Sequence, residues 1–347
     1  MPASNGRVPV LIASWIDGTQ AERIAAAEPE RIELSYEPEL LPPPRYQADH
    51  YAPPRDLTAD QRRRWRELLG RAVVSLDFDW DQPAQMRTNA PNLRWIQATG
   101  SGIGPLVAKA GLADSPVRIT NAAGIHAQPL AEFVLMSALH YVKDMPRLMK
   151  WKKERHWERY CGHELAGSKM LLIGLGKVGA RIAQLSAALG VEVIGHRRSG
   201  GGGKPAGVTR IVDGAGLDEA LPHADLLVIA APETPETVNL IDRRRLQLLP
   251  SRAVFVNVGR GSVVDESALI DLLVSGRIRG AALDVFAEEP LPADSPLWEL
   301  PNVIISPHSA STVVQENDRI VDLFIENLGR FLDDRPLVNE FDHRRRY

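Results

Sequence analysis

Three side chains with catalytic chemistry follow apolar runs in the C-terminal half of the sequence. Arg260 comes directly after AVFVNVG, Glu289 follows GAALDVF, and His308 ends NVIISPH. In doubly wound parallel sheets, ligands bind outside the carboxyl ends of the strands, so these side chains are predicted to converge. Arginine can pair with a carboxylate and stabilise charge on an oxygen, whereas a carboxylate beside a histidine fixes its tautomer and supports proton transfer. Singly, each has a structural explanation: a surface cation, an acid before a proline, a loop histidine.

A glycine pattern earlier in the chain indicates a phosphate-binding turn. Residues 169–190 read KMLLIGLGKVGARIAQLSAALG and place Gly174, Gly176 and Gly179 between an apolar run and a helical pattern. The first glycine permits a tight turn, the second lets the backbone approach a pyrophosphate, and the third lets helix pack on strand. The helix N-terminus then offers N–H groups to the anion. Glycines that serve only the turn are the structural alternative.

Two arginines follow the next apolar run, VEVIGH. Arg197 lies 23 positions after Gly174, where an acid that accepts from the ribose hydroxyls of NAD is expected about 20 residues on. Arginine cannot accept those bonds, but its planar guanidinium can bind a 2′-phosphate, with Arg198 and Ser199 adding a charge and a hydroxyl. The sequence therefore favours NADP(H), while NAD(H) stays open. Solvated arginines at a loop edge are the alternative.

The elements that must position these residues form two α/β patterns. From residue 169, apolar β-rich runs alternate with helical patterns, which predicts a doubly wound parallel sheet. The first 120 residues form a second α/β unit, interrupted by the proline-rich loop at 37–56, and the amphipathic helix at 316–336 is expected to return to it. We predict a substrate domain of residues 1–120 and 314–347, into which a Rossmann cofactor domain of residues 121–313 is inserted.

Composition narrows the classes of function. The 347 residues carry a formal net charge of −3, so no basic field indicates nucleic acid. The apolar run near the start is too short for a membrane span or a signal peptide, which favours a cytoplasmic protein. The single cysteine, Cys161, lacks neighbouring thiols for a disulfide framework or a zinc site, and no metal is expected.

Four motifs together resemble the D-isomer-specific 2-hydroxyacid dehydrogenase family: GLGKVG, NVGRGSVVDE, ALDVFAEEPLP and SPHSAS, in this order. Within that family, the glyoxylate and hydroxypyruvate reductases resemble this sequence. The resemblance implies a flavodoxin-like substrate domain beside the cofactor domain. The resemblance implies hydride transfer between NAD(P)H and a small 2-keto or D-2-hydroxy acid. In it His308 is the proton donor, Glu289 supports the histidine, and Arg260 binds the substrate carboxylate.

The resemblance also assigns binding residues. The turn GSGIG is expected to bind the substrate carboxylate through successive N–H groups, and the substrate is expected between the two domains. The substrate contacts are Ser101, Gly102 and Ile103 with Arg260 and His308. The cofactor contacts are Gly174, Gly176, Lys177, Val178, Gly179, Arg197, Arg198, Ser199, Pro232, Thr234, Thr237, Val258, Gly259, Asp284 and His308. The helices between residues 126 and 160 imply a homodimer.

Several alternatives stay open. Asp284 lies near the nicotinamide or in a buried ion pair, Thr234 borders the cofactor or shapes a turn, and His126 is structural rather than catalytic. The proline-rich loop is a lid, a substrate wall or a partner surface. A nucleotide-sensing, corepressor-like binding protein is the alternative function, although it needs no proton donor. Formate oxidation would call for a glutamine where Glu289 stands.

Overall fold

A computed structural model describes residues 6–197 and 203–342. Its backbone contacts form two compact units. Unit 1 joins the segment up to Ile125 with the segment from Thr312, and unit 2 is the continuous segment His126–Ser311. The sequence placed these boundaries at 120/121 and 313/314, a few residues away. The roles predicted for the two units stay predictions.

The described residues form short parallel strands connected mostly by helices. The strands are β1 (Val8–Ile12), β2 (Ile32–Ser35), β3 (Val74–Leu76), β4 (Trp95–Gln97), β5 (Arg118–Thr120), β6 (Lys169–Ile173), β7 (Glu192–His196), β8 (Val208–Val212), β9 (Leu226–Ile229), β10 (Val254–Asn257), β11 (Gly280–Leu283) and β12 (Val303–Ile305). The α-helices are α1 (Gly18–Ala27), α2 (Ala59–Arg71), α3 (Met86–Asn89), α4 (Gly104–Lys109), α5 (Ala127–Val142), α6 (Met145–Glu154), α7 (Lys177–Ala188), α8 (Gly214–Ala220), α9 (Arg243–Gln247), α10 (Glu266–Val274) and α11 (Glu316–Leu332).

Unit 1 is built on a five-stranded sheet in the order β2-β1-β3-β4-β5, all parallel. Helix α11 closes the core on one face. Its apolar residues recur at helical spacing, and Phe324 stacks on Trp95 with ring centroids 5.2 Å apart. Asn327 ties the same helix to β4, because its amide donates to Gln97 Oε1 at 3.0 Å.

Unit 2 is built on a seven-stranded parallel sheet in the order β12-β11-β10-β9-β6-β7-β8. Strands β9, β10 and β11 are buried at every position, as expected for a sheet covered on both faces. The order reverses between β9 and β6, so the topological switch point lies next to the strand that precedes the glycine turn. Ligands of open α/β sheets bind at such points.

Residues 126–145 have helical apolar spacing and almost no charge in their middle, so the sequence predicts a helix buried between domains or between subunits. The structure ends α5 at Val142, and α6 begins at Met145 after Asp144, whose left-handed backbone (φ 56°) interrupts the helix. One face of α5 is buried in unit 2, whereas Met136 and Leu139 are exposed in this chain.

The prediction of two doubly wound, parallel-sheet α/β domains is confirmed. Strands β2 and β8 were not predicted. Both lie at an edge of their sheet and interleave polar with apolar residues, so they lack the continuous apolar run that marked the central strands. Among the described helices, none has the length and apolar character required to cross a membrane.

Candidate active site

Glu289 and His308 form a hydrogen-bonded pair in unit 2. The His308 Nδ1 and Glu289 Oε2 atoms lie 2.8 Å apart, and Glu289 Oε1 accepts from the backbone N–H of Phe286 at 3.0 Å. The carboxylate is therefore fixed on both oxygens. Because Nδ1 faces this acceptor, the other nitrogen of the half-exposed ring, Nε2, points away from Glu289. In a protonated ring, Nε2–H can act as a proton donor.

Asp284 holds the backbone that carries His308. Its Oδ1 accepts from Ser306 Oγ at 2.6 Å and from the N–H groups of Ser309 and Ala310, both at 2.9 Å. The His308 N–H also donates to the Asp284 carbonyl at 2.9 Å. These bonds hold His308 in the left-handed region, with φ at 54°. In this structure Asp284, 2% exposed, therefore positions the histidine loop.

The turn that carries Arg260 is fixed by Asn257 at the end of β10. The Asn257 amide donates to the Arg260 carbonyl at 3.0 Å, and its oxygen accepts from the Gly259 N–H at 3.0 Å. The half-buried Arg260 guanidinium donates to the Gly259 carbonyl at 2.7 Å. At Gly261 a Cβ would lie 2.0 Å from the Phe286 carbonyl, so glycine allows this turn to pack on the loop leading to Glu289.

Strand order brings the three predicted catalytic residues to the carboxyl ends of three adjacent strands. Arg260 follows β10, Glu289 follows β11 and His308 follows β12, and these three strands are neighbours in the sheet. An anion-binding guanidinium and a histidine with a carboxylate partner thus lie at adjacent strand ends. This combination can bind a carboxylate and transfer a proton next to it.

The glycine turn before α7 has room for a phosphate. Gly174 has φ at 97°, and a Cβ there would lie 2.7 Å from the Ala231 nitrogen. At Gly179 a Cβ would lie 2.0 Å from the Gly174 carbonyl oxygen, so glycine is required for helix and turn to pack. Nothing lies within 4 Å of a Cβ at Gly176, which is the N-cap of α7. Because the cap has no side chain, the N–H groups of the first turn stay accessible to an anion, which fits a dinucleotide pyrophosphate.

Arg197 directly follows β7, the strand beside β6. Its guanidinium donates to the Gly203 carbonyl at 3.0 Å. Arg198 and Ser199 lie outside the described residues. His196, the last residue of β7, is buried; burial lowers its pKa, and the positive charge of Arg245 lowers it further.

The remaining predicted cofactor residues lie on turns that follow strand ends of unit 2. Lys177 and Val178 begin α7, whereas Val258 and Gly259 follow β10. Thr237 organises the turn after β9: its hydroxyl donates to the Pro232 carbonyl at 2.7 Å and accepts from the Thr234 N–H at 2.7 Å. The turn role that was left open for Thr234 is thus visible in its contacts.

The predicted substrate turn belongs to unit 1. Ser101 and Gly102 are exposed after β4, whereas Ile103 is buried as the N-cap of α4. The turn is attached to β5 because Ala122 N–H donates to the Gly100 carbonyl at 2.9 Å.

Residues 135–310 match the sequence family described as D-isomer specific 2-hydroxyacid dehydrogenase, NAD binding domain. The chain belongs to this family. Its sequence is 30% identical over 295 residues to a glyoxylate reductase of Aeropyrum pernix, covering 82% of this chain and 85% of that protein. It is 32% identical over 255 residues to D-3-phosphoglycerate dehydrogenase of Mycobacterium tuberculosis, covering 73% of this chain. The chain spans about half, 46%, of the length of that relative.

Solved structures of family members resemble the whole chain. One is a D-isomer specific 2-hydroxyacid dehydrogenase from Xanthobacter autotrophicus Py2 in complex with NADPH and MES. It is 30% identical with a TM-score of 0.77, covering 98% of this chain and 100% of that chain. Another is an NADPH-dependent glyoxylate/hydroxypyruvate reductase from Sinorhizobium meliloti in complex with NADP and sulfate. It is 25% identical with a TM-score of 0.75, covering 98% and 100%.

Two residues that support the site of this dehydrogenase family member, Asn257 and Ser306, were not identified from the sequence. Asn257 anchors the Arg260 turn, and Ser306 donates to Asp284 beneath the His308 loop. Both lie within the motifs NVGRG and SPHSAS. A buried polar residue at the last position of a strand is the signal that could have identified Asn257, because such a residue needs partners in the following turn.

Proposed function

We propose that the protein is an NAD(P)-dependent reductase of 2-keto acids, of the glyoxylate or hydroxypyruvate type, which also oxidises the D-2-hydroxy acid product. The 2.8 Å pair of Glu289 and His308, on a strand end next to that of Arg260, carries this proposal. The similarity to an archaeal glyoxylate reductase and to an NADPH-dependent glyoxylate/hydroxypyruvate reductase supports the substrate class.

In the proposed mechanism His308 donates the proton. Its Nδ1–H donates to Glu289, which fixes the ring and stabilises the imidazolium, and its Nε2–H protonates the keto oxygen. When bound, the nicotinamide cofactor supplies the hydride that the keto carbon receives. In the reverse direction neutral His308 accepts the proton of the hydroxyl group.

Arg260 binds the substrate in this mechanism. Its planar guanidinium pairs with the carboxylate and lies beside the keto oxygen, where it stabilises the negative charge that develops. The N–H groups of Ser101, Gly102 and Ile103 are proposed as a second set of donors to the carboxylate.

The cofactor is proposed to bind along the carboxyl ends of the unit 2 strands. The turn at Gly174, Gly176 and Gly179 holds the pyrophosphate, and Arg197 binds the 2′-phosphate of NADP(H) together with Arg198 and Ser199. NADPH or NADP in two similar structures supports the phosphate-bearing form. The other proposed contacts are Lys177, Val178, Pro232, Thr234, Thr237, Val258, Gly259, Asp284 and His308.

Initial rates test the proposal. Oxidation of NADPH and of NADH is followed with glyoxylate, hydroxypyruvate, pyruvate and phenylpyruvate, for the wild type and for Arg197→Leu. We expect turnover with NADPH to exceed that with NADH, and Arg197→Leu to raise the KM for NADPH about tenfold more than that for NADH. An equal rise for both cofactors contradicts the 2′-phosphate contact. No turnover with any pair favours the nucleotide-sensing alternative.

We also propose a homodimer formed through α5, α6 and the segment that follows them. Unit 2 leaves several large apolar side chains exposed there, which we call the α5–α6 surface: Met136, Leu139, Met145, Met149, Trp157 and Tyr160. Trp157 is 97% exposed and Met149 is 63% exposed. Contiguous exposed apolar residues are typical of protein interfaces, and aromatic residues and methionine are enriched there.

A further inference from the structure

Unit 1 contains four polar side chains at the carboxyl end of its sheet, which we call the polar cluster: Ser14, His50, Asp77 and Thr99. Three of them follow adjacent strands, since Ser14 comes after β1, Asp77 directly after β3 and Thr99 after β4. His50 comes from the proline-rich loop. Ligands of doubly wound sheets bind at the carboxyl ends of the strands.

Hydrogen bonds and charge connect the members of the polar cluster. Asp77 Oδ2 accepts from Thr99 Oγ1 at 2.8 Å, and Ser14 Oγ lies 2.8 Å from His50 Nδ1. Burial raises the pKa of Asp77, and the nearby charge of His50 opposes that rise. Asp77 also has a left-handed backbone, with φ at 73°, which an aspartate tolerates better than most residues. The cluster thus holds a carboxylate and an imidazole in fixed positions.

The proline-rich loop is built to present His50. Its neighbour Asp49, with a fully buried side chain, accepts from the Arg45 side chain at 2.7 and 3.1 Å and from the Arg45 and Tyr51 N–H groups. These bonds to Arg45 lower the pKa of Asp49 despite the opposing effect of burial, so it stays ionised at neutral pH. Such a closed hydrogen-bond network fixes the loop, whose sequence forms no regular strand.

The polar cluster adjoins the turn that is proposed to bind the substrate carboxylate. Thr99 and Gly100 directly precede Ser101, and a Cβ at Gly100 would lie 3.1 Å from the Tyr51 hydroxyl oxygen. The loop therefore also places a phenol beside this turn. A small acid bound at the turn would have its substituent close to the cluster.

We propose that the polar cluster is a specificity subsite, in which Asp77 accepts a hydrogen bond from a hydroxyl group on C3 of the 2-keto acid and His50 supplies the counter-charge. The inference rests on the proposed reduction of 2-keto acids and adds the substrate class: small acids with a hydroxyl at C3. A methyl or phenyl group at that place would remove water from Asp77 and His50 without replacing its hydrogen bonds. Sites that hydrogen-bond a substrate hydroxyl discriminate strongly against analogues without it.

Paired substrates that differ by one hydroxyl test the subsite. The ratio of kcat/KM for hydroxypyruvate to kcat/KM for pyruvate is measured for the wild type, Asp77→Asn and His50→Gln. We expect the wild type to favour hydroxypyruvate and Asp77→Asn to lower the ratio about tenfold, the effect of losing one charged hydrogen bond. Asparagine suits this position because it also tolerates a left-handed backbone. If Asp77→Asn fails to fold, the same ratio measured for His50→Gln tests the subsite.

A matched control and a binding measurement separate this inference from the proposed function. Asp60→Asn makes the same chemical change on α2, at a side chain that is 82% exposed, and should leave the ratio within twofold of the wild type. Calorimetric affinities for hydroxypyruvate and pyruvate give the same ratio even if the protein shows no turnover, an outcome that would contradict only the proposed function. A wild type that does not favour hydroxypyruvate, or an unchanged ratio in both cluster variants, overturns the subsite.

Discussion

His308 is held by two independent sets of bonds, one to its ring and one to its backbone. Glu289 fixes the imidazole through Nδ1, and Asp284 fixes the loop that places the residue in the left-handed region. Because each partner is itself anchored, little reorganisation is needed before the ring can act on a substrate. Preorganisation of this kind is what general acid catalysis requires.

Replacing His308 with asparagine removes the proton donor and keeps a residue that tolerates the left-handed backbone. We expect kcat for keto-acid reduction to fall by about 10²- to 10⁴-fold, the usual contribution of a positioned general acid. The dissociation constant for NADPH, measured by fluorescence, should change far less than kcat, because the proposed phosphate contacts are untouched.

The control for that variant is His223→Asn, an exposed histidine of the same unit, which should retain the wild-type kcat. Wild-type turnover in His308→Asn would remove the histidine from the mechanism.

The sequence carried enough information for some site residues and too little for others. Glu289 and His308 could be paired because both follow apolar runs of a parallel sheet, and parallel topology fixes where such runs end. His50 and Asp77 could not be brought together from the sequence. His50 lies in a loop without periodicity. The position of Asp77 depends on a left-handed backbone that no sequence pattern predicts.

At the scale of elements, α5 ties together the strands that precede Glu289 and His308. The Tyr141 hydroxyl oxygen lies 2.7 Å from the Ala281 carbonyl oxygen in β11 and 2.8 Å from the Asn302 carbonyl oxygen just before β12, so its single proton is shared between them. Burial raises the pKa of Tyr141, so the phenol stays protonated as a donor. A Cβ at Gly280 would lie 2.4 Å from the tyrosine ring, so only glycine lets the helix approach this closely.

Tyr141→Phe should lower the free energy of unfolding by about 0.5–1.5 kcal/mol, the net value of one hydrogen bond, because the Asn302 carbonyl still accepts from the Ala281 N–H. Urea denaturation followed by circular dichroism measures the change. Tyr46→Phe makes the same change at a residue that is 48% exposed, and should cost less than about 0.5 kcal/mol. Equal shifts in the two variants would contradict a special role for the buried phenol.

Elements differed in how well their sequences predicted them. Central strands of unit 2 were predictable because burial on both faces demands an unbroken apolar run. The edge strands β2 and β8 each have a neighbouring strand on one side only. Polar residues such as Thr209 and Arg210 can therefore be exposed within β8. The predicted helix end at residue 145 lies three residues beyond the end of α5 at Val142, because Asp144 breaks the helix through its backbone conformation alone.

At the scale of the whole molecule, the α5–α6 surface exposes six large apolar side chains in this chain. Burying such side chains against a second copy would remove several hundred square ångströms of apolar area from solvent, at about 25 cal/mol per Å². We therefore expect the protein to be a dimer at micromolar concentration.

Light scattering coupled to size-exclusion chromatography should give twice the chain mass for the wild type and the chain mass for Met149→Glu combined with Trp157→Glu. Two charges in an apolar interface would each lose hydration without a partner. Val274→Glu, at an equally exposed valine on α10, should stay dimeric. A monomeric wild type would refute the proposed homodimer.

The two-segment construction of unit 1 has a consequence for how the chain is made. Its five strands leave the ribosome first, but α11, whose Phe324 covers Trp95 in their core, is synthesised only after the whole of unit 2. Unit 2 is continuous and can complete its sheet as soon as it emerges. The nascent N-terminal sheet therefore keeps one apolar face uncovered until α11 has been synthesised.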